Sequence, residues 1–307
     1  MKLNGFFTTA LLAAAALFST SCARKKAELG SAENPIKMYF VPSVDVKAIE
    51  DNTKILKGYL EANTPYKYEI AIPASFVAVV EAIGTNRADI AALNTFGYLL
   101  ANERYGANAK LTVIRFGLPT YQAQFIAKAD GPIKTLADIA GKKIAYVDPA
   151  STSGYLLPLK VLKDKNITPA ESVFAMHHDA VVSMIYQGQV DAGATFYSPP
   201  SEGKIQDARR LVLTQYPDVE KKIKIIELTE SIPNDPIVFR KDLPAEISTK
   251  VVAAFENFIK TPEGKDAFYK LYGVTDFKVA KDSDYDGVRA MLKAAGANAE
   301  DLAKDKK

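Results

Sequence analysis

The chain has 307 residues, of which 48% are hydrophobic and 24% are charged, and its formal net charge is +3 at pH 7. This composition is typical of a globular chain with one or two domains, and the charge is too small to indicate a nucleic-acid-binding protein. Cys22 is the single cysteine, so a disulfide within the chain is excluded and the fold depends on its core.

The N-terminus has the pattern of an export signal. Lys2 precedes an apolar run at residues 6–18 that is too short to span a bilayer, and small residues then lead to Cys22. We therefore interpret residues 1–21 as a signal peptide. The stretch Ser-Thr-Ser-Cys at its end resembles the lipobox of bacterial lipoproteins, although Ser19 stands where that motif usually has leucine.

The lipobox resemblance implies a lipid anchor. Cys22 would be acylated and become the first mature residue, and residues 22–34 would form a tether to the membrane. We therefore expect an exported protein that is anchored in the periplasm or at the cell surface. The alternative is an ordinary cleavage site near Ser21, which leaves a free thiol.

Apolar periodicity predicts a chain that alternates between strands and helices. This alternation is typical of an α/β fold with mainly parallel sheets. The predicted elements are strand 36–41, helix 45–62, strand 66–72, helix 75–84, strand 90–93, helix 95–105, strands 111–116 and 124–128, helix 135–140, strand 143–147, helices 155–163 and 179–187, strands 192–196, 224–228 and 237–240, and helices 244–260, 263–272 and 284–295.

A turn rich in hydroxyl groups follows one of these strands. Residues 148–155 read Asp-Pro-Ala-Ser-Thr-Ser-Gly-Tyr and lead into a predicted helix. Such a turn presents unpaired backbone N–H groups at the positive end of the helix dipole, and Ser151, Thr152 and Ser153 add hydroxyl donors. The pattern is that of an ordinary helix N-cap or of a phosphate-like anion site that needs no lysine.

Five short motifs follow one another along the chain in a definite order. They are SFVAVVEAI at 75–83, RADIA at 87–91, STSGYLLP at 151–158, His178-Asp179 followed by QVDA at 189–192, and IPNDPIV at 232–238. Together they make the chain resemble the substrate-binding proteins of phosphate, phosphite and phosphonate ABC importers, from about residue 36 to residue 295.

The resemblance implies a two-lobed periplasmic binding protein of type II. Residues 35–124 with 236–295 would form the first lobe and residues 125–235 the second, followed by a flexible tail at 296–307. Two crossing segments, near 124–128 and 231–237, would form the hinge. The ligand would be enclosed between the lobes, at strand ends and helix N-termini.

The family resemblance also assigns binding roles. Ser151, Thr152, Ser153 and His178 would surround the oxygens of the anion, and Asp235 corresponds to a carboxylate that meets the amine of aminoalkylphosphonates. The other readings are that His178 packs against or caps its helix and that Asp235 is a turn residue. We expect the neighbouring His177 to face solvent, and no metal site, because no cysteine or acidic residue has ligand spacing to this pair.

Three departures from the family pattern bear on the ligand. The family pattern has a second carboxylate at a place that falls near Ser198. This chain has no acidic residue there, and the next one is Glu202. Phe76 replaces one tyrosine that often touches the phosphonyl group, and Leu93 or Asn94 replaces another. We expect Phe76 and Asn94 to line the site, with Tyr121 or Tyr197 as substitutes. These changes favour a small or apolar ligand over aminoethylphosphonate.

The implied function is capture of a phosphonate, phosphite or phosphate-like anion and its delivery to a membrane permease with a separate ATPase. No nucleophile elbow, Walker turn or dinucleotide fingerprint occurs in the sequence, so we expect neither enzymatic activity nor a cofactor. We also expect a monomer that binds no nucleic acid. The alternative function is that of a ligand-sensing lipoprotein which signals to a membrane protein.

Overall fold

The structure is a computed structural model that describes residues 27–294. The predicted signal peptide, Cys22 and the predicted tail lie outside the described residues. Within the described range, no helix is long and apolar enough to cross a membrane.

Eleven strands are present in the described part of the chain. Their bounds are β1 Ile36–Phe40, β2 Tyr68–Ala71, β3 Ile90–Ala92, β4 Asn108–Arg115, β5 Thr120–Lys128, β6 Lys143–Tyr146, β7 Glu171–Phe174, β8 Ala192–Tyr197, β9 Ile223–Pro233, β10 Pro236–Phe239 and β11 Val274–Val279.

Nine α-helices accompany these strands over the same range. They are α1 Val46–Asn63, α2 Phe76–Gly84, α3 Thr95–Tyr105, α4 Leu157–Asp164, α5 His178–Gln187, α6 Val219–Lys222, α7 Ala245–Phe258, α8 Pro262–Tyr272 and α9 Asp286–Ala294. Short 3₁₀ turns occur at Leu136–Ile139, Ala208–Val212 and Asp282–Tyr285, and a π-helical turn at Thr152–Leu156 precedes α4.

The strands form two sheets that confirm the predicted two-lobed α/β fold. The six-stranded sheet has the order β11-β4-β10-β3-β1-β2, and the five-stranded sheet has the order β7-β6-β8-β5-β9. One apolar cluster fills the first lobe, where the ring of Tyr59 on α1 stacks 4.5 Å from that of Phe258 on α7. A second cluster, which includes Phe125 and Ile144, fills the other lobe.

Both sheets are mixed, which corrects the expectation of mainly parallel sheets. β1 is parallel to β2 and β3, and β6 is parallel to β7 and β8, but β10, β11, β5 and β9 all pair antiparallel. β5 and β10 enter their sheets directly from the other sheet. Because no helical crossover precedes them, the βαβ rule does not set their direction.

The chain passes between the sheets earlier than expected. β5 is one strand from Thr120 onward, and Gln122 and Gln124 already pair with β8 of the five-stranded sheet. The predicted lobe boundary after Gln124 and the predicted hinge at 124–128 therefore fall inside a strand. The structure places the first crossing at residues 116–119 instead, between β4 and β5.

The end of the predicted tether is docked on the first lobe. The backbone N–H of Gly30 donates to the carbonyl of Asn34 at 2.7 Å, and that of Lys67 donates to the carbonyl of Gly30 at 2.7 Å. Gly30 has φ +92°, and its Cα lies against the ring of Tyr66. Residues 28–34 therefore belong to the folded lobe rather than to a free linker.

Candidate functional site

A cavity lies between the two lobes, where the strand ends of both sheets meet. Its volume is about 40 Å³, and since a water needs roughly 10–15 Å³ by this measure, the space suits a small ligand. Eight residues predicted to bind ligand line it. They are Phe76, Asn94, Tyr121, Ser151, Thr152, Ser153, His178 and Asp235. The structure thus brings these eight residues together, and their binding role stays a prediction.

The hydroxyl-rich turn is built by its own backbone. The N–H of Ser151 donates to the carbonyl of Asp148 at 2.8 Å, and the N–H of Gly154 donates to the Ser151 hydroxyl at 3.1 Å. The chain then makes the π-helical turn before α4, a geometry that occurs often at functional sites. Ser151, Thr152 and Ser153 are each at most 3% exposed, so their hydroxyls are withdrawn from bulk water.

Thr152 joins the two lobes. Its hydroxyl oxygen accepts from the Asn94 side-chain amide and from the backbone N–H of Phe96, both at 3.0 Å. The same amide donates to the carbonyl of Ala150 at 2.8 Å, and the Asn94 Oδ1 caps α3 by accepting from Gly97 N at 3.2 Å. The amide of Asn94 is therefore engaged with protein, whereas the Thr152 proton still has a donor bond to give.

His178 is buried at the first turn of α5. Its ring meets that of Phe196 edge-on at 4.9 Å, and its Nδ1 has no hydrogen-bond partner among the described residues. Burial, helped by the positive charge of Arg115, lowers the pKa of His178 to about 3. The imidazole is therefore neutral at pH 7 and brings one N–H donor to the cavity.

The neighbouring histidine differs from the prediction. His177 is half-buried rather than solvent-facing, and its Nδ1 lies 2.9 Å from the carbonyl oxygen of Pro42. The backbone N–H of His178 also donates to the carbonyl of Ser43 at 3.0 Å. The start of α5 is therefore held against the loop that follows β1 in the other lobe.

Asp235 is paired with an arginine that the sequence did not reveal. The Arg115 guanidinium donates to Asp235 Oδ2 at 2.5 Å, while Oδ1 is buried without a partner among residues 27–294. Burial raises the pKa of Asp235, and the charge of Arg115 opposes that rise. The carboxylate expected to meet an amine of the ligand is thus already neutralised by Arg115, which also lies over the rings of Tyr121 and Tyr272.

Of the aromatic residues expected at the site, Phe76 and Tyr121 line the cavity and Tyr197 does not. Phe76 lies at the first turn of α2 and is 1% exposed. Burial raises the pKa of Tyr121, so its hydroxyl beside Ser153 stays protonated. Phe196 lines the cavity, whereas Tyr197 does not, because successive strand residues point to opposite faces. Leu93 is part of the core.

Two charged residues of the cavity were missed by sequence reasoning, Arg115 and Arg210. Arg115 is the last residue of β4, which leads to the cleft. Its position at a strand end was the one sequence signal that could have marked it as a cavity residue. Arg210 lies on the 3₁₀ turn at Ala208–Val212, a segment without helical or strand periodicity, and so had no signal. Among residues 27–294, no three His, Cys, Asp or Glu side chains are grouped closely enough to hold a metal ion.

Known proteins share both the sequence pattern and the fold. The chain is 26% identical to the phosphate-import protein PhnD of Mycolicibacterium smegmatis, over 97% of this chain and 98% of that protein. It is 25% identical to the phosphonates-binding periplasmic protein of Escherichia coli, over 92% of this chain and 83% of that protein.

Solved structures agree with these relatives. The binding protein component of an ABC phosphonate transporter from Pseudomonas aeruginosa matches with a TM-score of 0.72 at 20% identity, covering 88% of this chain and 97% of that one. PhnD1 from Prochlorococcus marinus, solved in complex with methylphosphonate, also has a TM-score of 0.72, at 14% identity, covering 86% and 98%. These likenesses confirm the two-lobed fold.

A family model described as "ABC transporter, phosphonate, periplasmic substrate-binding protein" matches residues 38–285, which is most of the chain and includes every residue that lines the cavity. The chain belongs to this family of phosphonate ABC transporter substrate-binding proteins.

Proposed function

We propose that the cavity binds a phosphonate, phosphite or phosphate anion through the hydroxyls of Ser151, Thr152 and Ser153 and the imidazole of His178. The observation that carries this proposal is the Thr152 hydroxyl. It accepts two hydrogen bonds from the other lobe, which leaves its proton free to donate into the cavity. The unpaired Nδ1 of His178 and the buried serines add neutral donors, which suit an anion in a closed site.

The same contacts couple binding to closure. Asn94 and Phe96 belong to the first lobe and Thr152 to the second. The two hydrogen bonds that orient the Thr152 hydroxyl toward the anion would therefore form only when the lobes are closed. A ligand that prefers the closed state shifts the population toward it. As a member of this family the protein is exported and works with a membrane permease. We infer that a separate ATPase drives transport and that the chain itself catalyses no reaction.

Substitution at Thr152 tests the binding proposal. Thr152→Val keeps the shape but leaves two donors of the first lobe unpaired and removes the donor to the anion. We expect affinity for methylphosphonate, phosphite or phosphate to fall by about 1–3 kcal/mol, measured by calorimetry. The conservative Thr152→Ser variant retains the hydroxyl and should bind nearly as wild type. Equal affinity in all three proteins would mean that the turn only caps its helix.

The lipid anchor is a separate part of the proposal. It is supported by the lipobox-like Ser-Thr-Ser-Cys pattern, with Cys22 as the acylated residue. Expression in a bacterial host followed by fractionation and intact-mass analysis should find the native protein in the membrane fraction with acyl chains on Cys22. Cys22→Ser should move it to the soluble exported fraction. A native protein that is unacylated and soluble would contradict the anchor and leave the binding proposal intact.

A further inference from the structure

Arg210 brings an unpaired positive charge to the cavity. It lines the cavity from the second lobe, with its guanidinium 5.4 Å from the ring centroid of Phe116 in the first crossing segment and 5.8 Å from that of Tyr269 on α8 of the first lobe. Its Nε is buried without a hydrogen-bond partner in the described part of the chain, and the buried carboxylate that acts on it electrostatically, that of Asp207, is already paired with Arg209. A buried donor that the protein leaves unpaired points to a partner that arrives with the ligand.

The turn that carries Arg210 is rigid. The preceding residue, Arg209, donates from Nε and Nη2 to the two carboxylate oxygens of Asp207 at 2.9 and 2.8 Å, and from Nη1 to the carbonyl of Ile223 at 2.8 Å. Asp207 also accepts from the backbone N–H of Arg209 at 2.9 Å. Both side chains are buried, so this pair fixes the backbone from which Arg210 projects and lowers the entropy lost when Arg210 binds.

The charges that line the cavity do not cancel. Arg115 and Asp235 form a pair, and His178 is neutral, so Arg210 leaves an excess of one positive charge. If the buried Asp235 takes up a proton, the excess only grows. The cavity therefore disfavours a ligand with an ammonium group. It favours a ligand that carries a second negative group in addition to the one bound by the hydroxyl donors.

Arg210 and the hydroxyl-rich turn line the cavity from different segments of the second lobe. Ser153 of that turn neighbours Tyr121, Tyr121 lies under Arg115, and Arg115 interacts electrostatically with Arg210. The guanidinium of Arg210 itself lies over the rings of Phe116 and Tyr269. Since the turn and both arginines line one cavity, a ligand that reaches from the turn to Arg210 would place its substituent beside the two arginines.

On the basis of the proposed function, we propose that the ligand is a phosphonate whose short substituent carries a carboxylate, and that this carboxylate binds the guanidinium of Arg210. The planar guanidinium fork matches a carboxylate bidentately. The small cavity favours this group over a second, bulkier phosphoryl group. The same charge excess makes aminoethylphosphonate a poor ligand, because its ammonium would face two arginines.

Calorimetry with three probes tests this inference. On the purified protein we expect phosphonoacetate to bind at least about tenfold more tightly than methylphosphonate, or about 1.4 kcal/mol, and aminoethylphosphonate to bind most weakly. Arg210→Gln should weaken phosphonoacetate at least tenfold more than methylphosphonate. Arg87→Gln is the matched control, because Arg87 is exposed and does not line the cavity; it should change neither affinity.

The remaining outcomes separate the proposed anion binding from the proposed carboxylate binding by Arg210. If methylphosphonate binds but phosphonoacetate binds no more tightly, or if Arg210→Gln weakens both ligands equally, the carboxylate assignment is wrong and the proposed function stands. If none of the probes nor phosphate binds, the proposed function fails and this inference fails with it. Thermal unfolding checks that Arg210→Gln is folded. Should it not fold, Arg210→Lys, which keeps the charge without the fork, should lose part of the phosphonoacetate preference, and an unchanged preference would overturn the inference.

Discussion

His178 shows how burial sets the chemistry of one residue. An exposed imidazole would be partly charged near neutral pH, but burial between Phe196 and the cavity wall keeps this ring neutral. A neutral ring donates one hydrogen bond without adding charge beside Arg115 and Arg210. The sequence pointed to a residue that lines the cavity, whereas the protonation state of that residue is set by its surroundings.

The lowered pKa of His178 predicts how stability depends on pH. The unfolded chain takes up a proton on this histidine near pH 6.5, whereas the folded protein does so only near pH 3. Between these values the unfolded state binds more protons, so the free energy of unfolding falls as pH decreases. The contribution of the neutral, buried His178 to the free energy of unfolding is fully present above about pH 6.5 and is lost as the pH falls toward 3.

Denaturant unfolding of the ligand-free protein at pH 7, 6 and 5 measures this effect. His178→Gln should make the decrease in unfolding free energy below pH 6.5 shallower by up to about 1.4 kcal/mol per pH unit. An identical pH dependence in the variant and the wild type would contradict the buried neutral state.

The turn between β6 and α4 is the element that carries most of the proposed anion contacts. Its position was predictable because a short apolar strand, hydroxyl residues and a glycine follow each other in the sequence. Its π-helical form was not, since that depends on how Gly154 approaches Val147 of the preceding strand. A Cβ on Gly154 would lie 2.5 Å from the Cβ of Val147 and 2.7 Å from the Ser151 hydroxyl oxygen.

Gly154→Ala should therefore distort this turn. We expect a loss of about 1–3 kcal/mol in the free energy of unfolding, because both contacts belong to a packed interior, and a weaker affinity for the anion. Chemical denaturation and calorimetry measure the two effects. Gly58→Ala is the matched control: Gly58 is exposed on α1 with no atom within 4 Å of its added Cβ, so this change should stabilise by about 0.5–1 kcal/mol. Wild-type stability and affinity in Gly154→Ala would show that the turn tolerates a side chain.

Elements were predicted well where their apolar pattern is strong. The helix predicted at 95–105 matches α3, and the starts of β1, β3 and β6 are as predicted. The strands that were missed, β7 and β11, lie at the edges of the two sheets and expose much of their length. An edge strand buries less surface, so its sequence carries a weaker apolar signal.

Several hydrogen bonds join the two lobes across the cleft. Asn94 bonds to Ala150 and Thr152 across the cleft, and the start of α5 bonds to Pro42 and Ser43. Individually such bonds contribute about 0.5–1.5 kcal/mol, which is enough to change the populations of open and closed states severalfold.

Asn94→Ser should shift the lobes toward the open state. Serine still caps α3 but lacks the amide that donates to Ala150 and Thr152. Without ligand, small-angle scattering should report a larger radius of gyration than for wild type, and a saturating anion should restore it. The apparent affinity should fall by the same factor as the closed population.

A surface asparagine provides the control for this experiment. Asn63→Ala removes an exposed side chain whose amide bonds only to the carbonyl of Tyr59 within α1. It should leave both the radius of gyration and the affinity unchanged. Scattering profiles of Asn94→Ser and wild type that coincide without ligand would mean that the Asn94 contacts do not control closure.

The sequence by itself determined the family, the α/β class and the hydroxyl-rich turn, because these follow from local periodicity and from motifs that are continuous in the chain. Only the tertiary structure decided what surrounds that turn. The pairing of Arg115 with Asp235 joins residues far apart in sequence, and Arg210 reaches the cavity from a turn without periodicity. The direction of β5 and β10 was likewise decided by the crossings between lobes. Charge balance in a cleft depends on which side chains are buried together. Local sequence patterns do not encode the distance between side chains that are far apart in the chain.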